Sequence, residues 1–305
     1  MTAGFLFPGQ GSQYVGMGKD LYEAFPEVRE LYDLANSHLE FDLLTVSFEG
    51  PEEKLKQTEI TQPAIFVHSM AVVRMLEKKG IRPGIVAGHS LGEYSALVAA
   101  GVLDFETGLR LVAIRGRLMQ HAGETYPGTM AAIIGLGAEK VEEICRQASE
   151  SGVVVPANFN SPEQIVISGS VEGVRRGMEL AREAGAKRVV ELVVSGAFHS
   201  PLMEPALAEL KQALETAEFK APSCPVVCNA TAAETTDPEE LRQNLVKQLL
   251  SPVLWVRSIQ RMAELGFQEF YETGPGKVLC GLVRRIDRSL RCIPVGTVTD
   301  FEKMG

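Results

Sequence analysis

Ser90 stands in the turn Gly88-His89-Ser90-Leu91-Gly92, between the apolar run Ile85 to Ala87 and the helix-forming stretch Glu93 to Ala100. A Gly-x-Ser-x-Gly turn in that setting is a nucleophile elbow: the glycines relieve crowding, the hydroxyl is lifted off the sheet, and the amide of the following residue, Leu91, faces the reacting carbonyl. The bare pattern also occurs in ordinary turns. The strand and helix on either side are what favour a nucleophile. A serine hydroxyl is weak at neutral pH and needs a base. Of the five histidines, His38 and His121 fall in polar stretches. His68 lies on a helical pattern that suits a core or surface histidine, and His89 adjoins the serine on a turn that aims its side chain elsewhere. His199, in Ala197-Phe198-His199-Ser200-Pro201, follows a strand and precedes a proline-stopped loop, from which a side chain reaches the mouth of a sheet. It is the best partner for Ser90.

Two other places could complete such a site. The loop Gly9-Gln10-Gly11-Ser12-Gln13 can offer the amide of Gln10 as a second oxyanion donor, because glycine neighbours let backbone approach a ligand; a purely structural turn accounts for it equally well. Arg115 sits on the apolar helical segment Leu109 to Gly116. Arginines there usually snorkel outward or close an ion pair. The functional alternative is a planar fork that takes a substrate carboxylate in two parallel hydrogen bonds.

The elements that must position these residues follow from periodicity. Gly4 to Phe7 reads as a buried strand stopped by Pro8-Gly9, Gln62 to Lys79 as a helix stopped by Gly80 and Pro83, and Ile85 to Ala87 as a second strand before the elbow. This is the grammar of a parallel α/β sheet. Between residues 125 and 195 the texture changes to strand (Met130 to Leu136), helix (Glu139 to Ser149), strand (Val153 to Ala157), strand (Ile165 to Ser168), helix (Val171 to Glu183) and strand (Val189 to Val194). That order predicts a ferredoxin-like inserted subdomain within an α/β catalytic domain formed by residues 1–124 and 196–305. The chain returns through Pro225 to Asn229, the Trp255 segment, a strand at Glu269 to Glu272 and a final helix from Lys277.

Composition bounds the function. The chain has 305 residues, 45% hydrophobic and 23% charged, enough apolar side chain for a substantial core. Its net charge of -9 argues against a general nucleic-acid binder, which needs a basic surface. No apolar run approaches membrane-spanning or signal-peptide length, so a cytoplasmic protein is expected. The five cysteines, Cys145, Cys224, Cys228, Cys280 and Cys292, show no Cys-x-x-Cys pair and no nearby histidine, and read as buried thiols rather than disulfide partners or metal ligands.

Taken together, Phe7-Pro8-Gly9-Gln10-Gly11-Ser12-Gln13, Gly88-His89-Ser90-Leu91-Gly92-Glu93, Arg115-Gly116, Asn158-Phe159-Asn160, Ala197-Phe198-His199 and Gly274-Pro275-Gly276 resemble, in order, the motifs of malonyl-CoA:acyl carrier protein transacylases, over nearly the whole chain. The resemblance implies a hydrolase-like α/β domain with an inserted ferredoxin-like subdomain, and transfer of malonyl from malonyl-CoA to an acyl carrier protein without a cofactor or metal. It implies Ser90 as nucleophile and His199 as base, the amides of Gln10 and Leu91 as oxyanion hole, and Arg115 as the grip on the malonyl carboxylate. It further implies Gln248 as the residue whose backbone carbonyl orients the histidine, Asn160 as a site-lining residue, with a turn asparagine as the alternative, and Phe198 as the side chain that crowds a branched α-carbon. Two basic groups could receive an acidic carrier: Arg284, Arg285, Arg288 and Arg291 on a C-terminal helical segment, and Lys187-Arg188. A solvated helix face is the plainer account of them.

Two rival functions remain. An α/β-hydrolase shares the elbow but runs serine, acid, then a histidine near the C-terminus, and no histidine follows His199. A catalytically silent docking module would lack nucleophile or base, and both are present.

Overall fold

The structure, a computed structural model, describes residues 3–304. Ten strands follow in chain order among the described residues: β1 (Gly4–Phe7), β2 (Ile85–Gly88), β3 (Gly128–Ile134), β4 (Val154–Ser161), β5 (Gln164–Ser170), β6 (Arg188–Glu191), β7 (Val226–Val227), β8 (Glu234–Thr235), β9 (Glu269–Thr273) and β10 (Arg291–Val295). They make two sheets, ordered β10-β9-β1-β2-β7-β8 and β4-β5-β3-β6. The first is parallel from β10 to β7, with β8 turned back against β7. The class is therefore mixed α/β, as expected.

β1 shows why the first sheet is covered on both faces. Phe5 and Phe7 join one core cluster with Ile65 and Phe66 of the helix Thr58–Lys78, whereas Leu6 joins a second with Ile85, Ala87, Trp255 and Phe270. Side chains alternate across a strand, so a continuous apolar run is what a strand buried on both faces requires. The helix Thr58–Lys78 starts one turn before the expected Gln62, and most of its residues are buried. In the second sheet the order β4-β5-β3-β6 is antiparallel throughout, with the helices Ala138–Ala148 and Val171–Glu183 packed on it through Val141, Ile144, Val174 and Met178. This is the strand order of a split βαβ unit. The two bodies are tied by main chain: Phe159 N–H donates to Val253 O at 2.9 Å, and Val253 N–H donates to Ala157 O at 2.8 Å.

Three expectations change. The helix from Lys277 is not the last element, because Val278–Ile286 is followed by β10 and a helix at Val298–Lys303. The four arginines therefore do not lie on one helical segment: Arg284 and Arg285 lie in the last turn of Val278–Ile286, Arg288 in the following turn, and Arg291 in β10, paired with Glu269. Cys280 and Cys292, expected as free thiols, form a disulfide with Cα atoms 5.0 Å apart. A short turn carries the chain from that helix into β10, which brings two residues 12 apart within bridging distance. Cys145, Cys224 and Cys228 are free and buried. No helix among the described residues is long and apolar enough to cross a membrane.

Candidate active site

β1 and β2 are adjacent and parallel, so the loops leaving their C-terminal ends rise side by side. Ligands of open α/β sheets bind above those ends. The elbow after β2 is folded so tightly that a Cβ added to Gly88 would lie 1.9 Å from Gly92 C, and one added to Gly92 would lie 2.1 Å from Phe7 O. Glycine is required at both positions because backbone occupies the side-chain volume. Ser90 takes φ 52° at the tip, a left-handed conformation that a serine holds only under constraint from its surroundings.

His199 also takes a left-handed backbone conformation, φ 57°, just before the loop stopped by Pro201. Its Nε2 lies 2.8 Å from Ser90 Oγ. Its Nδ1 faces two carbonyl oxygens, Gln248 O at 2.9 Å and Ser251 O at 3.1 Å. Carbonyls only accept, so Nδ1 carries the proton and Nε2 presents its lone pair to the serine hydroxyl. Burial, then the nearby Arg115 charge, holds the imidazole down to about 3, which keeps the ring neutral in the resting site. Among the described residues no carboxylate bonds this histidine; two backbone oxygens do.

Arg115 projects from the helix Phe105–Thr125 and is only 1% exposed. Its Nη1 donates to Gln62 Oε1 at 2.8 Å, and its Nη2 donates to Ser90 Oγ at 3.0 Å and to Gln248 Oε1 at 3.1 Å. Nε is buried and has no partner among the described residues. The guanidinium is thus turned inward rather than snorkelling, desolvated beside the Ser90 hydroxyl with one N–H uncommitted.

In the elbow, the amides of Gly92, Glu93 and Tyr94 bond back to His89 O, Ser90 O and Leu91 O, and Ser90 N–H donates to Asn229 Oδ1. Leu91 N–H is left without a hydrogen bond among the described residues, as is Gln10 N–H in the neighbouring loop. The loops touch closely, since a Cβ on Gly9 would lie 2.4 Å from His89 O. His89 points away from the serine, as expected, with Nε2 2.7 Å from Asn160 Oδ1 and its ring 5.4 Å from Trp255. Asn160 lies in β4 and is 8% exposed, so it is a strand residue bound to the elbow and not a turn asparagine. Phe198, 6% exposed, packs into the core next to His199 in the chain.

A cavity of about 620 Å³ reaches His199 between β4 and the helix Trp255–Glu264, walled by Pro156, Phe159, Leu250 and Leu254. A mostly apolar cavity that reaches His199 has the character of a site for a long, flexible ligand. A larger cavity of about 800 Å³, lined by His38, Glu59 and Asp104 among others, contains none of these residues. Sequence reasoning missed Gln62, Glu93, Asn229 and Ser251. Glu93 sat in plain view inside the elbow motif. Asn229 ends the apolar segment after β7, with nothing local to mark it.

Residues 4–298 match the acyl transferase domain family. The chain is 46% identical over 299 residues to the malonyl CoA-acyl carrier protein transacylase of Bacillus subtilis strain 168, covering 98% of this chain and 94% of that protein. It is 46% identical over 283 residues to that of Escherichia coli K12, covering 92% of each. Among solved structures, an acyl carrier protein S-malonyltransferase from Vibrio cholerae superposes with TM-score 0.95 at 44% identity, covering 99% of each chain. A malonyl-transacylase solved in complex with its type II PKS acyl-carrier protein superposes with TM-score 0.96 at 42% identity, covering 99% of this chain and 98% of that one. With an elbow serine, a carbonyl-held histidine and a buried arginine already in place, this agreement along the whole chain shows that it belongs to the acyl transferase domain family, among the malonyl CoA-acyl carrier protein transacylases.

Proposed function

We propose that this enzyme moves malonyl from malonyl-CoA to the phosphopantetheine thiol of an acyl carrier protein through a malonyl ester on Ser90. The observation that carries the reading is the hydroxyl of Ser90 set between His199 Nε2 and Arg115 Nη2. His199 removes the Ser90 proton as Oγ attacks the thioester carbonyl, and the amides of Gln10 and Leu91 receive the oxyanion. The tetrahedral adduct collapses, the C–S bond breaks, and the imidazolium returns its proton to the coenzyme A sulfur. The carrier thiol then retraces the path, losing its proton to His199, attacking the ester and restoring the Ser90 hydroxyl. Arg115 takes the malonyl carboxylate on its Nε and Nη2 edge, two parallel charge-assisted bonds. That charge pairing also lifts the depression that Arg115 imposes on His199, so the correct substrate strengthens the base. Gln248 orients the imidazole, and Asn160 and Phe198 wall the acyl pocket. Residues 125–195 act as an inserted subdomain upon a catalytic domain of residues 1–124 and 196–305.

Incubation with labelled malonyl-CoA tests this reading. Wild type becomes labelled at Ser90 and passes the label to a phosphopantetheinylated carrier protein, while Ser90→Ala is not labelled. Normal labelling of the alanine variant, or steady release of malonate without transfer, would overturn it. A hydrolase reading gains nothing from the site: the buried carboxylate of the elbow, Glu93, bonds Gln248 and Asn229, and the imidazole bonds backbone carbonyls.

A further inference from the structure

Glu93 is 1% exposed, in the first turn of the helix Gly92–Ala99 that begins at the elbow, and one oxygen of its carboxylate accepts two hydrogen bonds from distant parts of the chain. Gln248 Nε2 donates to Oε2 at 2.9 Å, and Asn229 N–H donates to the same atom at 3.0 Å. Those two donors hold the catalytic serine from opposite sides. Asn229 Oδ1 accepts Ser90 N–H at 2.7 Å, and its Nδ2 donates to Gly88 O at 2.6 Å. Gln248 Nε2 also donates to Ser90 O at 2.9 Å. Both peptide groups flanking Ser90 are thus clamped, and one carboxylate oxygen is the common anchor of the clamps.

The same residues set the base and the anion grip. Gln248 accepts the His199 Nδ1 proton on its main-chain oxygen and the Arg115 Nη2 proton on its side-chain oxygen. Fixing the Gln248 amide by its nitrogen therefore fixes which of its ends meets Arg115. It also holds the end of the helix Pro238–Gln248, where the histidine-binding carbonyl lies. A left-handed serine is strained and persists only where surrounding bonds over-determine it. The Asn229 and Gln248 contacts are such bonds, and among the described residues Glu93 is the one partner besides Ser90 that both share.

We propose that Glu93 and Asn229 are positioning residues: Glu93, as a shared acceptor for Gln248 and Asn229, holds Ser90 in its left-handed conformation and His199 in register with it. This rests on the serine and histidine roles proposed above. Because both bonds converge on a single oxygen, an amide at position 93 retains them, whereas a carboxylate one methylene shorter keeps the charge and loses the reach. Geometry and charge therefore separate.

The experiment measures the rate of Ser90 acylation by malonyl-CoA, and in parallel labelling by a fluorophosphonate reactive-serine probe, for Glu93→Gln, Glu93→Asp, Glu93→Ala and Asn229→Ala. A misplacement of about 1 Å costs on the order of 100-fold, so Glu93→Asp, Glu93→Ala and Asn229→Ala should lose about that much in kcat with KM within roughly 3-fold of wild type. Glu93→Gln should stay within roughly 5-fold of wild type, because it keeps both acceptor bonds. The double variant Glu93→Ala with Asn229→Ala should be no worse than the poorer single, as expected of parts of one clamp. An active Glu93→Asp with an inactive Glu93→Gln, additive losses in the double variant, or wild-type rates in Glu93→Ala would each overturn the proposal. Should Glu93→Ala not fold, the Asp and Gln pair carries the same contrast without emptying the site. If wild type takes no malonyl label, the functional reading fails, while the fluorophosphonate probe still ranks the variants and judges the clamp.

Discussion

Replacing Arg115 with alanine should separate recognition of the acyl group from acyl transfer. Only malonyl brings a carboxylate to the buried guanidinium. Truncating one partner of a desolvated charge-assisted pair costs about 2–5 kcal/mol, which at about 1.4 kcal/mol per tenfold is a loss of roughly 30-fold to 5,000-fold in kcat/KM for malonyl-CoA. For acetyl-CoA two smaller effects oppose each other. Gln248 Oε1 loses its Arg115 donor, which loosens the residue that holds the imidazole. Against that, the Arg115 charge is the second cause, after burial, of the depressed His199 pKa, so removing it makes the base stronger. Acetyl transfer should therefore change by less than about tenfold in either direction, a span set by the worth of one buried hydrogen bond. The acid limb of its kcat/KM should move upward from about 3 toward the ordinary 6.5. Single-turnover formation of acyl-enzyme from each donor, followed across pH, measures all three quantities. Equal losses with malonyl-CoA and acetyl-CoA would refute the reasoning and leave Arg115 a structural residue.

Phe198→Ser should raise methylmalonyl turnover relative to malonyl by about tenfold, the usual worth of room for one methyl group, while lowering the thermal midpoint because Phe198 also packs in the core. Competition between the two donors reads the first effect, and an unchanged ratio would show that Phe198 does not bound the acyl pocket. His68 is fully buried, and burial holds it down to about 4, so as pH falls below the ordinary 6.5 the unfolded chain takes up a proton that the folded one refuses. Its contribution to stability is lost over that window at up to about 1.4 kcal/mol per pH unit. Glu93 and Glu272, both raised to about 7 by burial, act in the opposite sense, because between 7 and 4.5 the folded state gains the proton. Comparing His68→Phe with wild type by denaturant unfolding at pH 8 and pH 4.5 isolates the histidine. The variant should gain on wild type at the lower pH by about 2 kcal/mol, and a pH-independent difference would contradict the assignment.

What could be read from the sequence, and what could not, follows from how far apart the interacting residues lie along the chain. The elbow is a local object: an apolar strand, two glycines four residues apart and a helix mark Ser90 as the tip of the turn, and all of it is contiguous. The alternating strands and helices of residues 128–191 were legible for the same reason, since periodicity is a property of neighbouring residues. His199 could be reached only by comparison with the other histidines, because the carbonyls that hold it come from 49 and 52 residues away. Arg115 offered a fork and an apolar helix, and nothing local could say whether it points outward or into the site. Its Gln62 partner lies 53 residues back. Glu93 was invisible as a functional residue although it stands three positions from the nucleophile, since its meaning resides in donors 136 and 155 residues away.

The misreading at the C-terminus is the instructive contrast, because there a local signal was available. Helical spacing over Arg284, Arg288 and Arg291 assumes that the helix continues, whereas Asp287-Arg288-Ser289 carries a chain-reversing signature. Asp287 Oδ1 accepts from Ser289 N–H at 2.8 Å and from Ser289 Oγ–H at 2.7 Å. An aspartate that bonds the backbone two residues on competes directly with the next helical turn, so the helix stops at Ile286 and Arg291 emerges on a strand instead. The basic side chains then fall on three different elements. A docking face for an acidic carrier would have to be assembled from residues that the fold, and not the helical period, brings together. The same holds for the site under the proposed reading: the elbow names the nucleophile, and long-range bonds through Gln248 and Asn229 aim it.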